Sequence, residues 1–149
     1  MFRGVSLINL DAKGRLAIPT KYRAELKESC DCQLIVTADR DGCLLLYPLP
    51  EWDVVERKLA KLSTMNKKNK ALKRFMIGHA SECQMDGQGR ILLSDNLRTF
   101  ANLDKRVALI GQLNKFEIWD QEAWGGERDS WLQEGEGAEL EGDLESFSY

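Results

Sequence analysis

The chain has 149 residues, 43% of them apolar and 30% charged, with three prolines and a formal net charge of −3. This excludes a largely disordered polypeptide, and since no apolar run approaches the roughly 20 residues of a membrane span, it also excludes an integral α-helical membrane protein. The one histidine, His79, rules out a His-based metal cluster or a His-containing triad within one chain, and the irregularly spaced Cys30, Cys32, Cys43 and Cys83 form neither a disulfide framework nor a zinc site.

In chain order, Val5–Leu10 reads as an apolar strand that ends at Asp11. Asp11-Ala-Lys-Gly14 places Asp first and Gly last in a tight turn, the preference of a type I turn. Leu16 and Ile18 alternate with Arg15 and Ala17, so a strand leaves the turn with its apolar side chains on one face. Pro19 suits the first turn of a short helix over Thr20–Lys27, because its missing N–H would have no partner there. Leu34–Ala38 and Cys43–Tyr47 are strands joined at Asp41-Gly42, a strong hairpin signal. Pro50 opens a helix whose first turn carries Glu51 and Asp53, where they complement the helix dipole. Trp52, Val55, Leu59 and Leu62 then recur at 3-and-4 spacing and define one apolar face. Met65–Asn69 interrupts, and Lys70–Gly78 forms a second helix with Leu72, Phe75 and Met76 inward.

The pattern then starts again. Shifted by 75 residues, Asn9–Pro19 falls on Gln84–Ser94: Asp11 on Asp86, Gly14 on Gly89, Arg15 on Arg90, and further along Arg23 on Arg98. A shift of 72 aligns Leu46-Tyr47 with Ile118-Trp119 and Trp52 with Trp124. Ser94 stands where the first copy has Pro19 and is expected to act as an N-cap. Val107–Ile110 and Phe116–Trp119 repeat the hairpin around Gly111-Gln-Leu-Asn114. The chain therefore divides into a first repeat over 5–52, a helical connector over 53–80, a second repeat over 81–124 and a tail over 125–149. Gly125-Gly126 weakens any helix after Trp124; a short helix around Asp129–Gln133 and disorder beyond it are expected.

Charge follows the same division. From Glu127 to Tyr149 there are eight acidic residues against the single Arg128, leaving residues 1–126 with 20 basic residues against 16 acidic ones. Arg57 to Arg74 holds eight basic residues and no acidic one. That run is either a phosphate-tracking stripe or the wet face of two helices; Leu59, Leu62, Leu72 and Phe75, which form an inner face, favour the second.

The repeated Asp-x-x-Gly-Arg unit has two readings. In the structural one, Asp caps the turn, Gly takes a positive φ, and Arg pairs with Asp at the surface, a pair contributing about 0–1 kcal/mol. In the functional one, Asp11 and Asp86 orient the guanidinium groups of Arg15 and Arg90, whose planar forks match O6 and N7 of guanine in the major groove. Tandem units of modest charge bound to repeated sites would gain affinity through effective concentration.

Met1-Phe-Arg-Gly4, the two Asp-x-x-Gly-Arg turns, Tyr47-Pro-Leu-Pro-Glu-Trp52, Gly78-His-Ala-Ser-Glu82 and Gly111–Trp119 together resemble the MraZ family of bacterial transcriptional regulators, built from two AbrB-type repeats. The resemblance covers about residues 1–124. It implies an α+β, mainly β fold: a duplicated swapped-hairpin, AbrB-like β-barrel with short helices and a helical connector. It further implies a cytoplasmic, nucleoid-associated protein that assembles into a ring-shaped homo-oligomer. As a non-enzymatic repressor without cofactor or metal, it would bind tandem G-rich boxes in the double-stranded promoter DNA of the division and cell-wall gene cluster, which includes its own gene. Carried onto this chain, the motif residues are Asp11, Gly14 and Arg15, and Asp86, Gly89 and Arg90. Arg15 and Arg90 read bases, Lys13 and Arg3 approach phosphates, and Gln88 replaces the basic Lys13 in the second turn, so the two turns need not contribute equally. The alternative is an enzyme or small-ligand protein on a duplicated barrel, using Asp11 and Asp86 as a carboxylate pair across the pseudo-twofold axis.

Overall fold

The computed structural model describes residues 1–137. Its elements are β1 (Phe2–Asn9), β2 (Arg15–Ala17), α1 (Thr20–Cys30), β3 (Gln33–Ala38), β4 (Leu44–Pro48), α2 (Leu49–Lys61) and α3 (Lys67–Gly78). After these come β5 (Ser81–Gln84), β6 (Arg90–Leu92), α4 (Asp95–Phe100), β7 (Arg106–Leu113), β8 (Phe116–Asp120) and α5 (Gln121–Gly137). Both copies of the repeat thus run strand, short strand, helix, hairpin.

Pairing crosses between the copies. β1 lies antiparallel on β7, with Val5 opposite Ile110, and β5 lies antiparallel on β3, with Leu34 opposite Cys83. The first strand of each repeat therefore completes the hairpin of the other, which is the swapped arrangement expected. The hairpins meet where β4 pairs with β8, giving a six-stranded sheet in the order β1-β7-β8-β4-β3-β5. β2 and β6 form a separate two-stranded antiparallel ribbon centred on the pair Leu16–Ile91. Since 16 and 91 are equivalent repeat positions, a pseudo-twofold axis passes through that pair. The barrel is not closed: the large sheet ends at β1 and β5, because each Asp-x-x-Gly turn carries the chain out of the ladder before the next short strand begins.

Two apolar layers hold this together. Inside, Leu16 and Ile18, their equivalents Ile91 and Leu93, and Leu26, Leu34, Leu44, Leu109 and Phe116 are fully buried. Burying each such side chain stabilises by about 1.5–3 kcal/mol. On the other face of the sheet, Ile35, Leu45, Tyr47, Ala108, Ile110 and Trp119 pack under Trp52 and Leu59 of α2, with Leu72 and Met76 of α3 and Trp124 of α5 against them. Trp52 and Trp124, equivalent in the repeat, are both packing residues of this layer. The Thr37 hydroxyl, fully buried, donates to the Met76 carbonyl at 2.6 Å and ties the end of α3 to β3.

Several boundaries differ from those read in the sequence. α3 starts at Lys67, not Lys70, because the Asn66 side chain caps it, accepting from the Lys68 and Asn69 amides at 2.8 and 3.3 Å. β1 starts at Phe2, three residues before the apolar run. α5 crosses Gly125-Gly126 without a break and extends well past the short segment expected. Asp120 Oδ2 accepts the Ala123 amide at 3.1 Å to start it, and Trp124 against Trp119 anchors its first turns. The Ser94 cap is present as predicted, accepting the Leu97 amide at 3.3 Å. The disorder expected beyond Gln133 is not found over 134–137, which continue α5; the rest of the acidic tail lies outside the described residues.

Candidate nucleic-acid interface

The two Asp-x-x-Gly-Arg turns have the same construction. Asp11 Oδ1 accepts the backbone amides of Lys13 and Arg15, both at 2.9 Å, and Oδ2 accepts Arg15 Nε at 2.6 Å. Asp86 Oδ1 accepts the amides of Gln88 and Arg90, both at 2.9 Å, and Oδ2 accepts Arg90 Nε at 3.0 Å. The Gly14 and Gly89 amides close the turns onto the Asp11 and Asp86 carbonyls, each at 3.0 Å. The glycines sit at φ of +84° and +76°, where any side chain is strained. The structural reading of the motif is therefore correct in full, and it leaves room for the functional one. Each carboxylate fixes its arginine through Nε alone, so among the described residues the terminal guanidinium nitrogens of Arg15 and Arg90 take no protein acceptor.

Both arginines leave the same face of the ribbon. Leu16 and Ile91 point inward, while Arg15, Ala17, Arg90 and Leu92 point outward. Arg15 stands opposite Leu92, and Arg90 opposite Ala17, so the arginines are diagonal neighbours across the pseudo-twofold axis. Diagonal neighbours on such a pair are about 7–8 Å apart, their Cβ atoms somewhat less. Lys13 and Gln88 are exposed at the turn tips beside them. Arg3 is not part of this group: it is exposed on β1, seven residues and about 24 Å of strand before Leu10.

The Arg15 amide, more than any other group, holds the Asp11 carboxyl down at about 2, and the Arg15 guanidinium and Lys13 amide reinforce it. The Arg90 amide lowers the Asp86 carboxyl in the same way, reinforced by the Gln88 amide and the Arg90 guanidinium. A carboxylate pair sharing a proton would have one member raised; here both are lowered, and each is hydrogen-bonded within its own turn. A lowered folded value means the carboxylate's contribution is complete above the unfolded value of about 3.9 and is lost as pH falls toward the folded one. In an NMR titration the Lys13 and Arg15 amide shifts should accordingly show a midpoint near 2. A midpoint at the ordinary Asp value would mean the Asp11 turn is not formed in solution.

The other chemistry-bearing side chains are engaged elsewhere. Burial pushes the Cys83 thiol up to about 12 and raises Cys43 as well, which leaves both unreactive. His79 lies against Phe75 and Phe100, its Nδ1 2.7 Å from the Phe75 carbonyl. No helix among the described residues is long and apolar enough to cross a membrane. In the basic connector, Leu62, Leu72 and Phe75 are half-buried or pack against the outer layer; Lys67, Lys68 and Lys70 of α3 face solvent, and half-buried Lys73 donates to the Ala60 carbonyl at 3.4 Å.

The sequence reading missed the surroundings of the turn glycines. A Cβ built on Gly14 would lie 2.6 Å from Cζ and Nε of Arg98, and one built on Gly89 would lie within 2.6 Å of Nε, Cζ and Cδ of Arg23. Alignment of the repeats marks Arg23 and Arg98 as equivalent, but nothing local to either residue says that it reaches the opposite copy.

Comparison with known proteins agrees with the duplication. The family model described as "MraZ protein, putative antitoxin-like" matches twice, over residues 1–75 and 76–128. The chain is 60% identical over 142 residues to the transcriptional regulator MraZ of Methylococcus capsulatus, covering 95% of this chain and 91% of that protein. It is 53% identical over 149 residues to the protein of the same name from Thioalkalivibrio sulfidiphilus, covering 99% of both chains. Against that of Yersinia pestis it is 54% identical over 125 residues, 83% of this chain and 82% of the other.

Proposed function

The chain belongs to the MraZ family, and from that membership we propose that it is a DNA-binding transcriptional regulator whose β2–β6 ribbon enters the major groove. The observation that carries this reading is the pair of matched turns, which aim Arg15 and Arg90 from one outward face with their terminal nitrogens free of protein acceptors among the described residues. A two-stranded ribbon fits the major groove, and an arginine fork held at Nε presents its remaining donors to guanine O6 and N7. The diagonal spacing of about 7–8 Å corresponds to about two base-pair steps. Leu92, exposed opposite Arg15, supplies an apolar surface for a thymine methyl. Lys13 and Gln88 flank the bases from the turn tips, where Lys13 reaches a phosphate and Gln88 offers only an uncharged hydrogen bond, so the first turn contributes more to salt-dependent affinity. Arg3 stands apart from this surface, and a phosphate contact there would belong to DNA passing a different part of the chain.

The finer reading is that the protein represses the division and cell-wall gene cluster, its own gene included, as a nucleoid-associated ring binding tandem G-rich boxes. One ribbon with two base-reading side chains specifies few base pairs; several ribbons in a ring, each on its own box, raise the effective concentration without a stronger single contact. A gel-shift titration tests this. Duplexes with several tandem G-rich boxes should bind far more tightly than a single-box duplex, and native mass measurement should show one oligomer per duplex. Equal affinity for one box and several would reject the multivalent reading.

A further inference from the structure

We infer that Arg23 and Arg98 are positioning residues for the turns of the opposite repeats: Arg23 braces Asp86–Gly89, and Arg98 braces Asp11–Gly14. The geometry is the same in both places. Arg23 leaves α1 half-buried and donates through Nε to the Ile18 carbonyl at 2.8 Å. The amide of that same Ile18 donates to the Gly89 carbonyl at 2.8 Å. Gly89, in contact with the Arg23 side chain, is thus held by two groups of the first repeat, and those two groups are bonded to each other. In the mirrored circuit, Arg98 leaves α4 and donates through Nε to the Leu93 carbonyl at 3.1 Å, and the Leu93 amide donates to the Gly14 carbonyl at 3.0 Å. Arg98 is further held by Asp95.

This gives the motif glycine a second requirement besides its positive φ. Only a residue without Cβ lets the arginine side chain reach the turn backbone. It also makes each base-reading arginine dependent on the other repeat: the backbone that presents Arg90 rests on Arg23, and the backbone that presents Arg15 rests on Arg98. A lysine cannot replace either residue, because it lacks the Nε–H donor and the planar group that fills the space under the glycine.

The functional half of this inference rests on the base-reading role of Arg15 and Arg90; the structural half does not, and the test separates them. Hydrogen exchange on the full-length protein should show faster exchange over residues 84–92 in both Arg23→Lys and Arg23→Ala, with residues 9–17 unchanged. Arg98→Lys should do the reverse. On a G-rich tandem duplex, Arg23→Ala should lose about tenfold in affinity. It should add almost nothing to Arg90→Ala, and it should multiply with Arg15→Ala, the pattern of a pair that acts as a unit. Wild-type exchange and binding in Arg23→Lys would show a charge contact to phosphate and overturn the brace, as would an exchange change confined to the residue's own repeat. Crossed exchange effects in a protein whose DNA binding ignores Arg15 and Arg90 would uphold the brace and overturn the base-reading assignment.

Discussion

Arg15→Ala is expected to weaken binding to a G-rich tandem duplex by roughly 5–150-fold, the equivalent of about 1–3 kcal/mol for one lost bidentate contact. Binding to scrambled DNA of equal length should fall much less. Arg90→Ala should do the same, and the double variant should bind both duplexes with similar, weak affinity. The size follows from what the wild type holds ready. Each guanidinium is already oriented by Asp11 or Asp86, so little conformational entropy remains to be lost when it meets a base. The substitution should leave the fold almost untouched, because the Arg15–Asp11 pair is an exposed one worth about 0–1 kcal/mol. Arg15→Lys is the stricter test: it keeps the charge and loses the fork, so it should behave like alanine on specific DNA and like wild type on scrambled DNA. Equal losses on both duplexes would assign these side chains to phosphates and remove the base-reading claim.

How much of this was legible in the sequence depends on how far each interaction reaches along the chain. The turns were fully legible, since Asp11, Gly14 and Arg15 bond to one another within four residues, and the second copy repeats the pattern. The face carrying Arg15 and Arg90 followed from the alternation with Leu16 and Ile91. Strand partners were not legible in the residues themselves; only the family resemblance implied the swap. Nothing in Val5–Leu10 selects β7 over β3; that choice is made by burial of the whole inner layer, in which Leu10 and Met85 occupy equivalent places at the ends of β1 and β5. The same limit hid the Arg23 and Arg98 contacts, which cross from one repeat to the other. α5 shows a different limit. Gly125-Gly126 argues against a helix by propensity, at about 1 kcal/mol for each glycine. Trp124, packed on Trp119, and the Asp120 cap outweigh that locally.

Phe116→Ala is expected to destabilise the protein by about 3–5 kcal/mol, a large share of the total of about 5–15 kcal/mol that domains of this kind possess. Phe116 is fully buried, stacked on Phe2 at 4.3 Å between ring centroids and set edge-on to Tyr22 at 5.0 Å. Tyr22 in turn donates its hydroxyl to the Arg3 carbonyl. The three rings therefore join β1 and α1 of the first repeat to β8 of the second, at the end of β1 remote from the Asp11 turn. The pseudo-equivalent positions of Phe116 and Tyr22 hold Leu44 and Leu97, so this aromatic cluster occurs at one end of the fold only. Truncation leaves a cavity on β8, which is paired on both sides with β7 and β4 and has little freedom to collapse into it. Urea unfolding at matched protein concentration should show the loss as a shift in midpoint with the slope unchanged. Well below the new midpoint, binding to the G-rich duplex should stay within about twofold of wild type, because the ribbon and its two circuits do not include Phe116. A loss under 1 kcal/mol would mean that the cluster does not carry the junction between the repeats. Normal stability with impaired DNA binding would move the reading surface to this end of the molecule, where Arg3 lies.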